Sequence, residues 1–165
     1  IDANPDYRVD AEQRLDRFIV HDLNDAASGN LVRHIGTFDC IIAADVLEHL
    51  VDPLSTLDWL LTVLRPGGFV VVSLPNVRYL GVVLSVFLRG SWPREEVGLF
   101  DATHLRWFTQ ADMTNMLSDA GLEVELVHQL FRLKTSMTKH DHLARYLGPL
   151  REFFSYQNLA RARKM

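Results

Sequence analysis

Apolar and polar positions fall into ordered blocks between Phe38 and Asn76. These 39 residues read as strand, acidic turn, helix, glycine turn and second strand. Phe38–Ala44 is an apolar run that stops at Asp45. Asp52-Pro53 then opens a helix. Asp is the cap, and Pro sits in the first turn, where its missing N–H would be unpaired anyway. Leu54, Leu57, Trp59, Leu60, Leu61 and Leu64 fall mostly on one broad helical face. Pro66-Gly67-Gly68 is expected to end the helix, and Phe69–Leu74 is a second β-rich run. This pattern predicts a βαβ unit with parallel strands and a right-handed crossover. Ligands of such sheets bind beyond the carboxyl ends of the strands. Here that edge carries Asp45 and Glu48 from the first strand, and Pro75 and Asn76 from the second.

The flanking pattern predicts more elements of the same α/β kind. Asp6–Leu15 is expected to be helical and to lead into a short strand, Arg17–His21, followed by His21-Asp22-Leu23-Asn24. Residues 24–36 read as a short helix and loop, 77–88 as a helix, and 89–101 as a polar loop. Thr109 should cap a helix over Gln110–Ala120 that stops at Gly121. Leu122–Leu130 alternates as a strand, and Phe153–Arg163 reads as the last strand. Residues 131–152 are an insertion between them, in which Lys134–Arg151 reads ambiguously, with a helix over part of it as one reading.

The order of these motifs carries a resemblance. A strand with D-V-L-E-H at residues 45–49, then L-R-P-G-G at 64–68, then a strand ending in P-N at 75–76 is similar to class I S-adenosylmethionine-dependent methyltransferases. The likeness extends from about Ile1 to Leu130. A second segment, D-A-T-H-L-R-W-F-T at 101–109, resembles the H-L-R-F-F-T of relatives. The resemblance implies a Rossmann-like methyltransferase sheet, mostly parallel, closed by a C-terminal antiparallel hairpin. That family begins with a strand and a G-x-G loop, whose glycines let the backbone approach the ligand. No G-x-G occurs here, and Ile1-Asp2 matches the second strand. The expectation is one domain over residues 1–165, N-terminally incomplete, with the first strand missing. Two strand edges would then be left unpaired, which invites another chain.

Composition narrows the class. At 165 residues the chain suits one domain with a single core. The lone Cys40 excludes a disulfide framework and a zinc cluster. It is expected to be a buried structural thiol in a reducing, cytoplasmic protein. The net charge is −4. Acids crowd residues 1–60 (12 against 4 bases) and bases crowd 132–165 (8 against 2 acids). No basic stripe interleaves with stacking aromatics, which argues against nucleic acid. Tyr79–Leu88 is too short to span a bilayer. It fits a buried or interfacial helix, a lid over a substrate pocket, or a homodimer contact.

The resemblance assigns roles residue by residue. Asp2 would hold the ribose hydroxyls of S-adenosylmethionine or S-adenosylhomocysteine, the plain alternative being a turn residue. Asp22 would accept from the adenine amino group, the alternative being a cap. Leu23 would lie on the adenine face, and Asp45 would face the methionine part. His49 and His104 are the candidate catalytic bases, since imidazole titrates near neutrality. Arg106 would grip a carboxylate or phosphate of the acceptor, or else tie the loop to Asp101 or Glu96. Asn76 is a further substrate candidate. Trp107 and Phe108 are expected in the core, while Trp92 and Glu95-Glu96 lie in a loop over the pocket. No metal is assigned. The alternative, from relatives with an acid-x-x-Glu-His pattern and a further histidine, is a divalent ion on Asp45, Glu48, His49 and His104.

Two functions follow. One is methyl transfer from S-adenosylmethionine to a small molecule: a sugar, a lipid-linked acceptor or a secondary metabolite. The other is a non-catalytic methyltransferase-like module for binding or interface formation, which the missing glycine loop favours. The retained Asp2, Asp22 and D-V-L-E-H favour the enzyme.

Overall fold

The computed structural model describes residues 1–25, 31, 34–131 and 148–165. After a 3₁₀ turn at Pro5–Tyr7, the elements are α1 (Arg8–Glu12), β1 (Phe38–Ala44), α2 (Pro53–Val63), β2 (Leu64–Pro75), α3 (Leu80–Arg89), α4 (Gln110–Asp119), β3 (Leu122–Phe131) and β4 (Ser155–Lys164). Further 3₁₀ turns cover Leu47–His49 and Gly148–Phe154. The sheet order is β1-β2-β4-β3. β1 and β2 pair in parallel, and β4 runs antiparallel to both β2 and β3. The expected βαβ unit and closing hairpin are therefore both present.

Local chemistry explains most of the boundaries. Asp52 caps α2, its Oδ1 accepting from Ser55 N at 3.1 Å, with Pro53 in the first turn. Thr109 and Asp112 form a reciprocal capping box on α4, and Gly121 follows that helix with φ +79. α3 starts at Leu80 rather than Val77. Val77 N is taken by Phe108 O at 3.0 Å, so the chain is still extended there. Gly90 ends α3 in the left-handed region. α1 is shorter than the pattern suggests. None of its residues is buried, and Val9 and Leu15 are exposed. A short helix without tertiary packing has little to hold it. The strand expected at Arg17–His21 is reduced to one parallel bridge, Asp2 to Val20.

Pro66-Gly67-Gly68 does not sit between helix and strand. α2 ends at Val63, and β2 already pairs at Leu64. The three residues lie in a bulge: five steps from Leu64 to Phe69 oppose two from Phe38 to Cys40. Arg65 reaches back from the bulge, its guanidinium 2.7 and 2.8 Å from the two Asp39 oxygens. Lys164, at the end of β4, donates to the carbonyl oxygens of Leu61 and Leu64 where α2 finishes. A Cβ on Gly68 would lie 2.9 Å from both Arg65 O and Asp39 O. Both are backbone atoms, so the bulge itself would have to move. Gly68→Ala is expected to lower the stability by roughly 2 kcal/mol. The urea midpoint would fall with the m-value unchanged, and an unaltered midpoint would refute the assignment.

The core lies on one face of the sheet. Val70, Val72 and Leu74 of β2 alternate inward and meet Leu57, Met113, Leu117, Ala160 and Ala162. The outer edge of β1 is open among the described strands, and Ile42 is 70% exposed. Cys40 is exposed as well, contrary to the expectation of a buried thiol. A strand at the edge of a sheet lacks the neighbour that would have covered it. Between this edge and the Ile1/Ile19 side of the Asp2–Val20 bridge lies an apolar cleft of ≈ 430 Å³, lined also by Leu23 and Val46. On α3, Phe87 and Leu88 are exposed. Among the described residues no helix is long and apolar enough to cross a membrane. The reading of residues 24–36 lies partly outside the described residues, as does that of the 131–152 insertion.

Candidate active site

The site forms where β1 runs out. Asp45 takes φ +51, a left-handed conformation that Asp tolerates better than most residues. The turn aims the Leu47–His49 3₁₀ segment back over the sheet. Asp45 N donates to Ser73 O and Ser73 Oγ, both at 3.2 Å, and Ser73 Oγ donates to Asp45 Oδ1 at 3.1 Å. The side-chain amide of Gln157, on β4, donates to the same Oδ1. One carboxylate thus ties together the ends of β1, β2 and β4.

Glu48 is 1% exposed, and neither of its carboxylate oxygens has a hydrogen-bond partner. Its backbone carbonyl accepts from Leu105 N at 2.8 Å and Arg106 N at 3.0 Å. The strap over residues 101–106 therefore closes directly on it. Burial pushes the Glu48 carboxyl up to about 8, and the nearby Asp45 and Asp101 carboxylates push the same way. At neutral pH the group is the uncharged acid. Its neighbour His104 has Nε2 4.0 Å from Glu48 Oε1. Burial, helped by the adjacent His49, holds the His104 ring below its ordinary value. Both shifts favour uncharged partners, so this contact is not an ion pair at neutral pH.

His49 stands beside them, its ring 4.8 Å from that of His104 in an edge-on arrangement. Its Nδ1 lies 3.0 Å from Thr103 Oγ1 and 3.3 Å from Thr103 O. Thr103 in turn is held by Asp101. Its hydroxyl donates to Asp101 Oδ1 at 2.6 Å and its N–H to the same oxygen at 2.8 Å. Those two bonds hold the Asp101 carboxyl below the usual carboxylate range.

A cavity of ≈ 460 Å³ opens beside this cluster, lined by Val77, Trp92, Arg94, Asp101, Ala102, His104 and Trp107. Trp92 meets Trp107 edge-on at 5.5 Å and Phe100 at 5.4 Å. Phe108 is in the core as expected, but Trp107 is 51% exposed and forms a wall of this cavity instead.

The other sequence candidates are distributed around this centre. Asp2 accepts from Asn4 N at 2.8 Å, and Asp22 accepts from Asn24 N at 2.9 Å. Each carboxylate thus stabilises its own turn. Their neighbours Ile1 and Leu23 line the apolar cleft, as does Val46 next to Asp45. The three acids flank that cleft rather than the histidine cluster. Asn76 is wholly buried and its amide is fully engaged. It donates to Glu152 O at 2.7 Å and Ser155 O at 2.8 Å, and accepts from Arg78 N at 3.1 Å. Both N–H groups and one lone pair of Oδ1 are thus taken up within the fold, at a side chain with no exposed surface. Arg106 donates to Val51 O, not to Asp101 or Glu96, and borders a groove shared with Trp107.

Sequence reasoning gave no role to Thr103 or Gln157, and named Asp101 only as a partner of Arg106. Asp101 and Thr103 had a local signal, because Asp-x-Thr is a turn in which the acid bonds the backbone two residues on. Gln157 had none. It reaches Asp45 across 112 positions of sequence.

Glu48, His49 and His104 each offer one ligand atom, and these lie within 4.8 Å of one another. They are the described residues that could hold a cation, and Asp45, expected with them, is not among the grouped ligands.

Residues 2–127 match the family model described as Methyltransferase domain. The chain is 31% identical over 96 residues to a ubiquinone biosynthesis O-methyltransferase of Thiobacillus denitrificans, covering 56% of this chain and 39% of that protein. A protein of the same name from Cupriavidus pinatubonensis is 30% identical over 103 residues, covering 60% and 39%. The chain thus spans well under half the length of the curated relatives it matches. Among solved structures, a SAM-dependent methyltransferase from Archaeoglobus fulgidus superposes with TM-score 0.61 at 15% identity, covering 98% of this chain and 73% of that one. The N-methyltransferase NodS from Bradyrhizobium japonicum, in complex with S-adenosyl-L-homocysteine, gives 0.56 at 18%, covering 99% and 64%. These likenesses show a Rossmann-like methyltransferase fold.

Proposed function

The chain belongs to the methyltransferase domain family, and from that premise we propose that it forms the catalytic region of an enzyme that transfers a methyl group from S-adenosylmethionine to a hydroxyl of a small, planar acceptor. The observation that carries this reading is the half-buried histidine pair at the carboxyl end of β1, beside a cavity walled by Trp92 and Trp107. Two indole faces suit a flat ring. The curated relatives are named for O-methylation in ubiquinone biosynthesis, which favours an oxygen acceptor.

The cofactor, when bound, supplies an electrophilic methyl group on sulfur. The residues of this chain do the rest. Asp2 would hold the ribose, Leu23 the adenine face, Asp22 the adenine amino group and Asp45 the methionine amino group. His49 takes the proton of the acceptor hydroxyl. His104 and the two tryptophans shape the acceptor cavity. Most of the acceleration comes from holding the acceptor in line, with the base adding to it.

A second reading is favoured by the unpartnered Glu48 carboxylate. A divalent cation held by Glu48, His49 and His104 would give those oxygens a partner and orient the acceptor.

Calorimetric titration of S-adenosylhomocysteine is expected to give saturable binding. Asp45→Asn keeps a side chain that tolerates φ +51 but drops the charge, so Kd should rise about tenfold. A folded protein that releases no heat with this ligand would overturn the enzyme reading in favour of a non-catalytic binding module.

A further inference from the structure

We infer that Asp101 and Thr103 are positioning residues that fix the tautomer of His49, placing the ring hydrogen on Nδ1 and leaving Nε2 as the working nitrogen. The proposed function is needed only for the task given to Nε2; the tautomer stands on hydrogen-bond direction alone. Asp101 Oδ1 faces the Thr103 backbone N–H, which can only donate, so this oxygen is an acceptor. The Thr103 N–H and O–H therefore both point to Asp101 Oδ1, at 2.8 and 2.6 Å. A threonine hydroxyl has a single hydrogen. Once that hydrogen is committed to Asp101, Thr103 Oγ1 can only accept from His49 Nδ1, 3.0 Å away. The other group facing that nitrogen is the Thr103 carbonyl oxygen at 3.3 Å, which can only accept as well. Two acceptors facing one ring nitrogen require it to carry the hydrogen.

The support is held at both ends. Asp101 and Thr103 form a tight turn. The strap that carries them is bonded through Leu105 N and Arg106 N to the carbonyl of Glu48, the residue before His49. Ring and acceptors are thus fixed to each other through one short path. His104 meets the His49 ring edge-on.

The same tautomer serves either reading of the site. A proton from an acceptor and a divalent cation both need the lone pair of Nε2. The chain of donors therefore selects which nitrogen is available, without deciding what comes to it.

The test is nitrogen-15 NMR of the ring nitrogens in histidine-labelled protein, with no cofactor or acceptor added. The His49 signals are assigned by their loss in His49→Asn. Expected is a protonated-type shift on Nδ1 and a lone-pair-type shift on Nε2. Thr103→Val keeps the shape but removes the hydroxyl, and Asp101→Ala frees the hydroxyl to donate. Both should move population toward the Nε2–H form, and Thr103→Ser should restore the original pattern. Wild-type protein with the hydrogen on Nε2, or a Thr103→Val pattern identical to wild type, overturns the inference. A protein that shows the expected tautomer yet binds no S-adenosylhomocysteine keeps this inference and loses the enzyme reading.

Discussion

Glu48→Gln is expected to abolish a loss of stability that the wild-type protein suffers between pH 4.5 and about pH 8. The carboxyl of Glu48 is raised from 4.5 to about 8 by burial, with neighbouring carboxylates adding to it. Below pH 4.5 the group is protonated in both folded and unfolded chains, and stability is unaffected. Above that pH the unfolded chain releases its proton while the folded chain keeps it. Stability therefore falls as pH rises, and levels off once the folded group also ionises near pH 8. At about 1.36 kcal/mol for each unit of difference, the full loss is on the order of 5 kcal/mol. The glutamine side chain has the same shape and no proton to lose. The difference in urea midpoint between variant and wild type should therefore grow steadily in favour of the variant across this window. A flat difference would show that Glu48 is charged in the folded protein at neutral pH. A divalent cation makes a separable prediction. Bound to Glu48, it would hold the carboxylate ionised and remove the wild-type fall when zinc or magnesium is added. The variant, lacking a good ligand, would be indifferent to the metal.

What the sequence made legible was the chemistry that acts over a few residues. The Asp52 cap with Pro53, the Thr109 cap and the Gly121 stop each satisfy backbone groups within one turn, and all three are in place. The alternation of Val70, Val72 and Leu74 identified the buried face of β2, because strand periodicity is a property of the strand itself. What was not legible depends on partners far away in sequence. Cys40 and Ile42 lie in an apolar run, yet they are exposed, because β1 has β2 on one side only among the described strands. Pro66-Gly67-Gly68 has the composition of a helix stop. It is a bulge because β1 offers only two steps opposite it. Asn76 looked available at a strand end, but the carbonyls of Glu152 and Ser155 claim its amide. The same holds for the site. D-V-L-E-H marked the right turn, but nothing within it says that Glu48 is buried. Burial follows from the strap over 101–106 settling on its carbonyl. The unusual proton affinity of Glu48 is thus a tertiary property of a locally ordinary residue.

His49→Ala is expected to lower kcat by about 10² to 10⁴ while leaving S-adenosylhomocysteine affinity within about twofold. The range is what a positioned base contributes when the nucleophile is a neutral hydroxyl. Affinity should hold because His49 lies at the strap, among Thr103, Glu48 and His104, and not on the apolar cleft. His104→Asn should behave differently. Its ring lines the acceptor cavity, so the larger change is expected in KM. The acidity of the acceptor supplies the decisive comparison. A hydroxyl that ionises below the assay pH arrives as an oxyanion and needs no base. Across a series of acceptors of falling hydroxyl pKa, the defect of His49→Ala should shrink and vanish once the acceptor is ionised. A defect that stays constant along the series would mean that His49 does not take the proton. In that case the ring acts on the geometry of the acceptor or through a bound cation, since those contributions do not depend on whether the oxygen still carries its hydrogen. The series thus separates proton removal from the orientation that supplies most of the rate.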